Sequence, residues 1–110
     1  MNLDPHYPVA YLFNLGRAYW LLRRYEEAVT ILKRTLIRNP NHFSAHVYLI
    51  IAYSELDQQA EAQAEWGEVL RINPDFSLEV LLEAIRQNLP YQAPAVTERM
   101  LAAMYKAGLK

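Results

Sequence analysis

The chain has 110 residues, a net charge of −1, 53% hydrophobic residues and 21% charged ones, enough for one domain with one core and no bulk positive field to attract nucleic acid. It contains no cysteine, which excludes a disulfide framework, a thiolate nucleophile and cysteine-ligated zinc, and suits a reducing compartment. No apolar run is long enough to span a membrane, and the start, Met1-Asn2-Leu3-Asp4-Pro5-His6, has neither a basic leader nor an apolar core and does not read as a signal peptide.

Asp4-Pro5 and Pro8 predict an opening turn. The first helix is expected from about Val9 to Leu22, with Leu12, Leu15, Tyr19 and Leu22 recurring at helical steps as its inner stripe. Gly16 lies mid-helix, where glycine costs about 1 kcal/mol relative to alanine. Such a cost points to a close helix approach. Arg23-Arg24 reads as a turn. A second helix follows from Tyr25 to about Arg38, with Ala28, Ile31, Leu32, Thr35 and Leu36 facing inward. Glu26 and Glu27 fall in its first turn and Lys33, Arg34 and Arg38 toward its end, which complements the helix dipole. Asn39-Pro40 stops it.

The pattern then returns. Pro40 maps onto Pro74, Asn39 onto Asn73, Ala28 onto Ala62, Tyr19 onto Tyr53 and Leu15 onto Leu49, each 34 residues apart. A fixed period of this length predicts stacked helix–turn–helix units. The third helix is expected at about Phe43–Leu56 and the fourth at about Gln59–Ile72. Ala62 takes the small crossing position, Trp66 the place of Leu32, and Ile50 that of Gly16. A third, degenerate unit follows in phase. Ser77 can cap a fifth helix from Leu78 to about Asn88. Leu89-Pro90-Tyr91-Gln92-Ala93-Pro94 breaks it, and Pro94 opens a sixth helix that runs to about Ala107, with Gly108 as a left-handed stop.

Leu15-Gly16, Tyr19, Ala28, Leu32 and Asn39-Pro40, then Tyr53, Ala62, Trp66 and Asn73-Pro74, resemble the tetratricopeptide repeat. Leu12 and His46 depart from the usual tryptophan position of that pattern, and Thr35 and Val69 from an alanine. The resemblance implies an all-α, right-handed superhelix of antiparallel helix pairs. It would form a single domain over residues 1–110, with regular repeats at about 9–42 and 43–76 and a degenerate capping pair at 77–110. Asn73-Pro74-Asp75-Phe76-Ser77-Leu78-Glu79, Leu89-Pro90-Tyr91 and Lys106-Ala107-Gly108-Leu109 also resemble the C-terminal repeat region of bacterial class III adenylate/guanylate cyclases and related multidomain regulators. That resemblance implies an accessory part of a larger cytoplasmic signalling protein.

Nothing in the residues points to catalysis. Gly16, Gly67 and Gly108 are isolated, with no phosphate loop. Ser44, Ser54 and Ser77 have no His and acid at recognisable spacing. Glu61 and Glu65 share a helix face that reads as solvated. His42 and His46 are four apart, a spacing that can hold a metal, but no third ligand accompanies them. The alternative is an exposed His42 and a His46 packed at the repeat junction. The expectation is therefore no catalytic residues, no metal, no cofactor and no nucleic-acid or membrane partner.

Function is expected to be the binding of another protein or peptide. The family places a concave groove on the first helix of each pair, and the residues there are Phe13, Asn14, Arg17 and Trp20, then Val47, Tyr48, Ile51 and Glu55. Leu78, Leu81, Leu82 and Ile85 would continue it. This face is unusually apolar, and an exposed apolar patch marks contact. Phe13 and Arg17 stand where some family members carry a Lys/Asn carboxylate clamp, so that clamp is absent. The plainer alternative is that the sixth helix or the curvature of the array buries these residues as core. Homodimerisation through the same face is the second functional reading. Charge is uneven: residues 1–46 carry Arg17, Arg23, Arg24, Lys33, Arg34 and Arg38 against Asp4, Glu26 and Glu27, while residues 47–87 carry eight acids against Arg71 and Arg86. Either this is a solvated surface with chance asymmetry, or it guides contact between copies or with a basic partner.

Overall fold

The 34-residue period is copied into the backbone. In the computed structural model, which describes residues 8–77, 79, 80, 83 and 94–107, α1 spans Val9–Leu21, α2 Tyr25–Arg38, α3 Phe43–Glu55 and α4 Gln59–Ile72. Every boundary of the second pair lies 34 residues after its counterpart in the first. A further helix, α5, spans Pro94–Lys106 and is the sixth helix of the sequence expectation. The expected fifth helix, 78–88, lies largely outside the described residues, as do the break at 89–93, the groove positions Leu81, Leu82 and Ile85, and Gly108. At its start, Ser77 Oγ accepts the Val80 N–H at 3.2 Å, a capping bond.

The two pairs end alike. Asn39 and Asn73 leave helical geometry with φ of −144° and −139°, and the side-chain oxygen of each accepts an N–H two residues on, Asn41 and Asp75, at 3.3 Å. This local turn competes with the helix, and the following proline prevents its continuation. The turns inside each pair also match. Arg23 and Asp57 both adopt a left-handed backbone, with φ of 62° and 58°.

Packing starts at Gly16. A Cβ there would stand 2.8 Å from Leu32 Cδ2 and 2.9 Å from Leu32 Cγ, so its absence lets α1 and α2 close on a fully buried Leu32. α3 is central: all ten residues from Ala45 to Ser54 are buried. α1, α2, α4 and α5 all pack against it, which is why it is apolar all round. Trp66 holds the Leu32 position in the period but is only half-buried, because it lies at the edge of the core against Phe76, with ring centroids 5.7 Å apart. Leu22, expected on the inner stripe of α1, is 66% exposed. Among the described elements α2 is the main neighbour of α1, whereas α3 is surrounded by four helices.

Candidate functional site

Three residues of α1, Phe13, Arg17 and Trp20, lie at helical spacing and all meet one residue of α3, Tyr48. The Phe13 ring packs edge-on to Tyr48 at 5.5 Å, and the Trp20 ring does so at 5.7 Å. Arg17 Nε donates to Tyr48 Oη at 3.0 Å. Phe13 also lies against the His42 ring at 4.8 Å. The inner faces of α1 and α3 therefore form one continuous aromatic strip.

The eight expected groove residues separate into two sets. Asn14 is exposed, and Phe13, Arg17 and Glu55 are half-buried. Trp20 and Ile51 are fully buried, and Val47 and Tyr48 are 5% and 7% exposed. These four belong to the same core cluster as Met100, Ala103, Met104 and Ala107 of the α5 region. An apolar face left open along its whole length is thus not what the chain forms. Its own C-terminal helix fills part of it.

Polar bonds fix α5 there. Arg99 Nη1 donates to Leu21 O at 3.1 Å, and Nη2 to Trp20 O at 3.0 Å and to Tyr25 Oη at 3.2 Å. Its guanidinium stacks 4.3 Å from the Trp20 ring centroid. A planar cation thus satisfies the last carbonyls of α1, where the helix dipole is negative. Ser54 Oγ donates to Ala103 O at 2.8 Å, and Gln59 Nε2 to Lys106 O at 2.7 Å. Gln63 donates to Ala107 O. Lys106 Nζ meets Asp57 at 3.0 Å, and that carboxylate raises the Lys106 pKa above its ordinary value. Sequence reading missed this clamp. Its traces were the Met100–Ala103–Met104–Ala107 stripe and a hydroxyl, Ser54, on an otherwise apolar helix.

The two histidines are occupied. His42 caps α3, its Nδ1 accepting the Ala45 N–H at 3.2 Å. Partial burial lowers its pKa, and nearby His46 adds to the effect. His46 is buried, with Nδ1 at 2.5 Å from Glu65 Oε2 and Nε2 at 2.8 Å from Pro40 O. It ties the α2–α3 connection to α4. In the first pair the same two positions hold Leu12 and Ile31, also buried. Two buried apolar side chains in one repeat are thus replaced by a hydrogen-bonded polar pair in the next. Among the described residues, no group of three His, Asp or Glu side chains could hold a metal ion.

A model of the tetratricopeptide repeat matches residues 9–42, which hold α1, α2 and the turn to α3. Residues 9–42 carry a tetratricopeptide repeat. The helix pairs of the chain pack as that fold requires, and repeats of this family generally are non-catalytic and mediate protein–protein interaction. Over 48 residues, 44% of its length, the chain is 40% identical to a protein of Rhizobium meliloti (strain 1021) named "Putative adenylate cyclase 3". The match covers 8% of that protein, so the chain spans a small part of the relative's length. No helix among the described residues is long and apolar enough to cross a membrane.

Proposed function

We propose that this chain is a non-catalytic protein-interaction module that takes a peptide segment of another protein along the Phe13–Asn14–Arg17 edge of its inner face. The observation that carries the reading is the strip itself: Phe13 and Arg17 both lean on Tyr48, with Asn14 exposed beside them. An aromatic surface with a held guanidinium at its rim offers apolar contact plus one polar anchor. Val47, Tyr48 and Ile51 are buried beneath this edge and support it, and Trp20 is closed off under Arg99. Glu55 lies at the far end of α3, toward Lys106. In this reading the contact surface is short and lies at the Phe13 end.

The parent is a larger bacterial signalling protein of the cytoplasm, in which this module is accessory. Support comes from the relative named as an adenylate cyclase, of which the match is a small fraction. Panning the purified chain against a displayed peptide library tests the binding reading. Selected peptides should lose affinity for Phe13→Glu and Arg17→Glu and keep it for Leu22→Glu, which alters the opposite side of α1. Peptides indifferent to the first two changes, or no enrichment at all, would refute it. The second reading is homodimerisation. What favours it is an exposed apolar side of α1, which carries a more specific inference.

A further inference from the structure

The period allows each helix to be compared with its counterpart. Tyr11, Leu15, Ala18 and Leu22 of the α1 segment correspond to Ala45, Leu49, Ala52 and Leu56 of the α3 segment. Ala45, Leu49 and Ala52 are fully buried, and Leu56 is half-buried, in a helix packed against α2 as well as α4 and α5. On α1 the same stripe is more exposed: Tyr11 is 50% exposed, Leu22 66%, Ala18 exposed and Leu15 half-buried. The side of α1 that corresponds to the buried stripe of α3 is thus an exposed, largely apolar stripe.

Beside the stripe, a shallow cleft between α1 and α2 is lined by Tyr19, Glu27, Thr30, Ile31 and Arg34. Glu27 and Arg34 are seven residues apart on one side of α2, so they stand about 10 Å apart along its axis. Their midpoint falls between Thr30 and Ile31. The contact of Gly16 with Leu32 fixes how the antiparallel α1 lies beside α2, and it puts that midpoint level with Arg17–Ala18. Ala18 is itself near the middle of the stripe, between Leu15 and Leu22.

We propose that this end of the molecule is a two-fold interface between two copies of the chain. One dyad, lying in the interface plane across both helices, satisfies both patterns. It sets Ala18 against Ala18 of the second copy, the smallest side chains at the closest point. It sets Leu15 against Leu22 and Glu27 against Arg34, each contact made twice as an isologous interface requires. Charge complementarity selects a second copy as the occupant, because opposite charges placed symmetrically about one point complement themselves. Glu27 is already held by Arg24 within the chain, and in the dimer it lies between two guanidinium groups. The inference rests on the protein-binding reading only in placing contact on an apolar surface. Peptide binding at Phe13 is measured separately and survives its failure.

Light scattering over a concentration series tests it. The wild-type chain should move from 12.8 kDa to twice that mass. Glu27→Arg and Arg34→Glu should each stay monomeric, since each sets like charges across both contacts. An equimolar mixture of the two variants should recover the doubled mass, because reversed charges then face opposite ones at both contacts. Phe13→Glu should dimerise like the wild type. Unchanged circular dichroism melts show that the variants fold. A wild-type chain that stays at 12.8 kDa overturns the proposal and leaves the stripe to a helix of another polypeptide segment. A mixture that stays monomeric, or loss of the dimer in Phe13→Glu, overturns it equally.

Discussion

Removing the Arg99 side chain should cost the fold about 3 kcal/mol. Arg99 is half-buried and offers three hydrogen bonds to Leu21 O, Trp20 O and Tyr25 Oη, all between 3.0 and 3.2 Å. A hydrogen bond to a charged group contributes about 1.5–3 kcal/mol, but forked bonds from one guanidinium are not additive. Counting the fork as one strong bond gives about 2 kcal/mol. Stacking on Trp20 at 4.3 Å adds about 0.5–1 kcal/mol at a partly exposed site. The total is a sizeable share of the roughly 5–15 kcal/mol that holds a domain of this size, and corresponds to a fall in Tm of about 10–20 °C. Thermal melts of Arg99→Ala followed by far-ultraviolet circular dichroism read the stability. Tryptophan fluorescence reads the opening of the Trp20 site. Arg99→Lys keeps the charge but loses the planar fork, and should recover less than half of the loss. A fall of under about 2 °C for Arg99→Ala, or full recovery with lysine, would show that apolar packing alone holds α5.

Three further predictions follow from single positions. Gly16→Ala gains about 1 kcal/mol of helix propensity but drives a Cβ to 2.8 Å from buried Leu32, an overpacking cost of about 1–3 kcal/mol. Urea unfolding should show a net loss, and Leu32→Val in the same chain should reduce it, a non-additivity absent if the two do not touch. His42 has a folded-state pKa below its ordinary 6.5 because burial disfavours its charged form. The unfolded state therefore takes up its proton first, so the His42 contribution is present above about pH 6.5 and lost as pH falls through the lower folded value. The slope of stability against pH in this window should shrink in His42→Asn, which still caps α3 without titrating; an unchanged slope would remove His42 as its source. Arg23→Gly relieves a left-handed non-glycine residue and should raise the urea midpoint by up to about 1 kcal/mol of stability, the αL penalty less the glycine entropy; a lower midpoint would mean that Arg23 holds the turn by contacts of its side chain.

The amino-acid sequence by itself determined the helices, where they stop and how they pair. Those are local or periodic properties: Asn39-Pro40 and Asn73-Pro74 end helices by backbone chemistry, and Gly16 admits Leu32 because a side chain is missing. The left-handed turns at Arg23 and Asp57 were not legible, since neither residue is the glycine such a backbone favours. Nor was the exposure of the candidate site. Phe13, Trp20, Val47, Tyr48 and Ile51 share one apolar pattern, and hydrophobic periodicity says that a face is covered without saying by what. Tertiary structure decided this. α5 returns across the end of α1, Arg99 caps the carbonyls of Trp20 and Leu21, and Trp20 becomes core while Phe13 stays at the surface. The same reason explains the stripe on α1. Leu15 and Leu49 are the same residue at the same place in the repeat, yet Leu49 is fully buried and Leu15 half-buried, because burial depends on which helices pack against a residue and not on its identity.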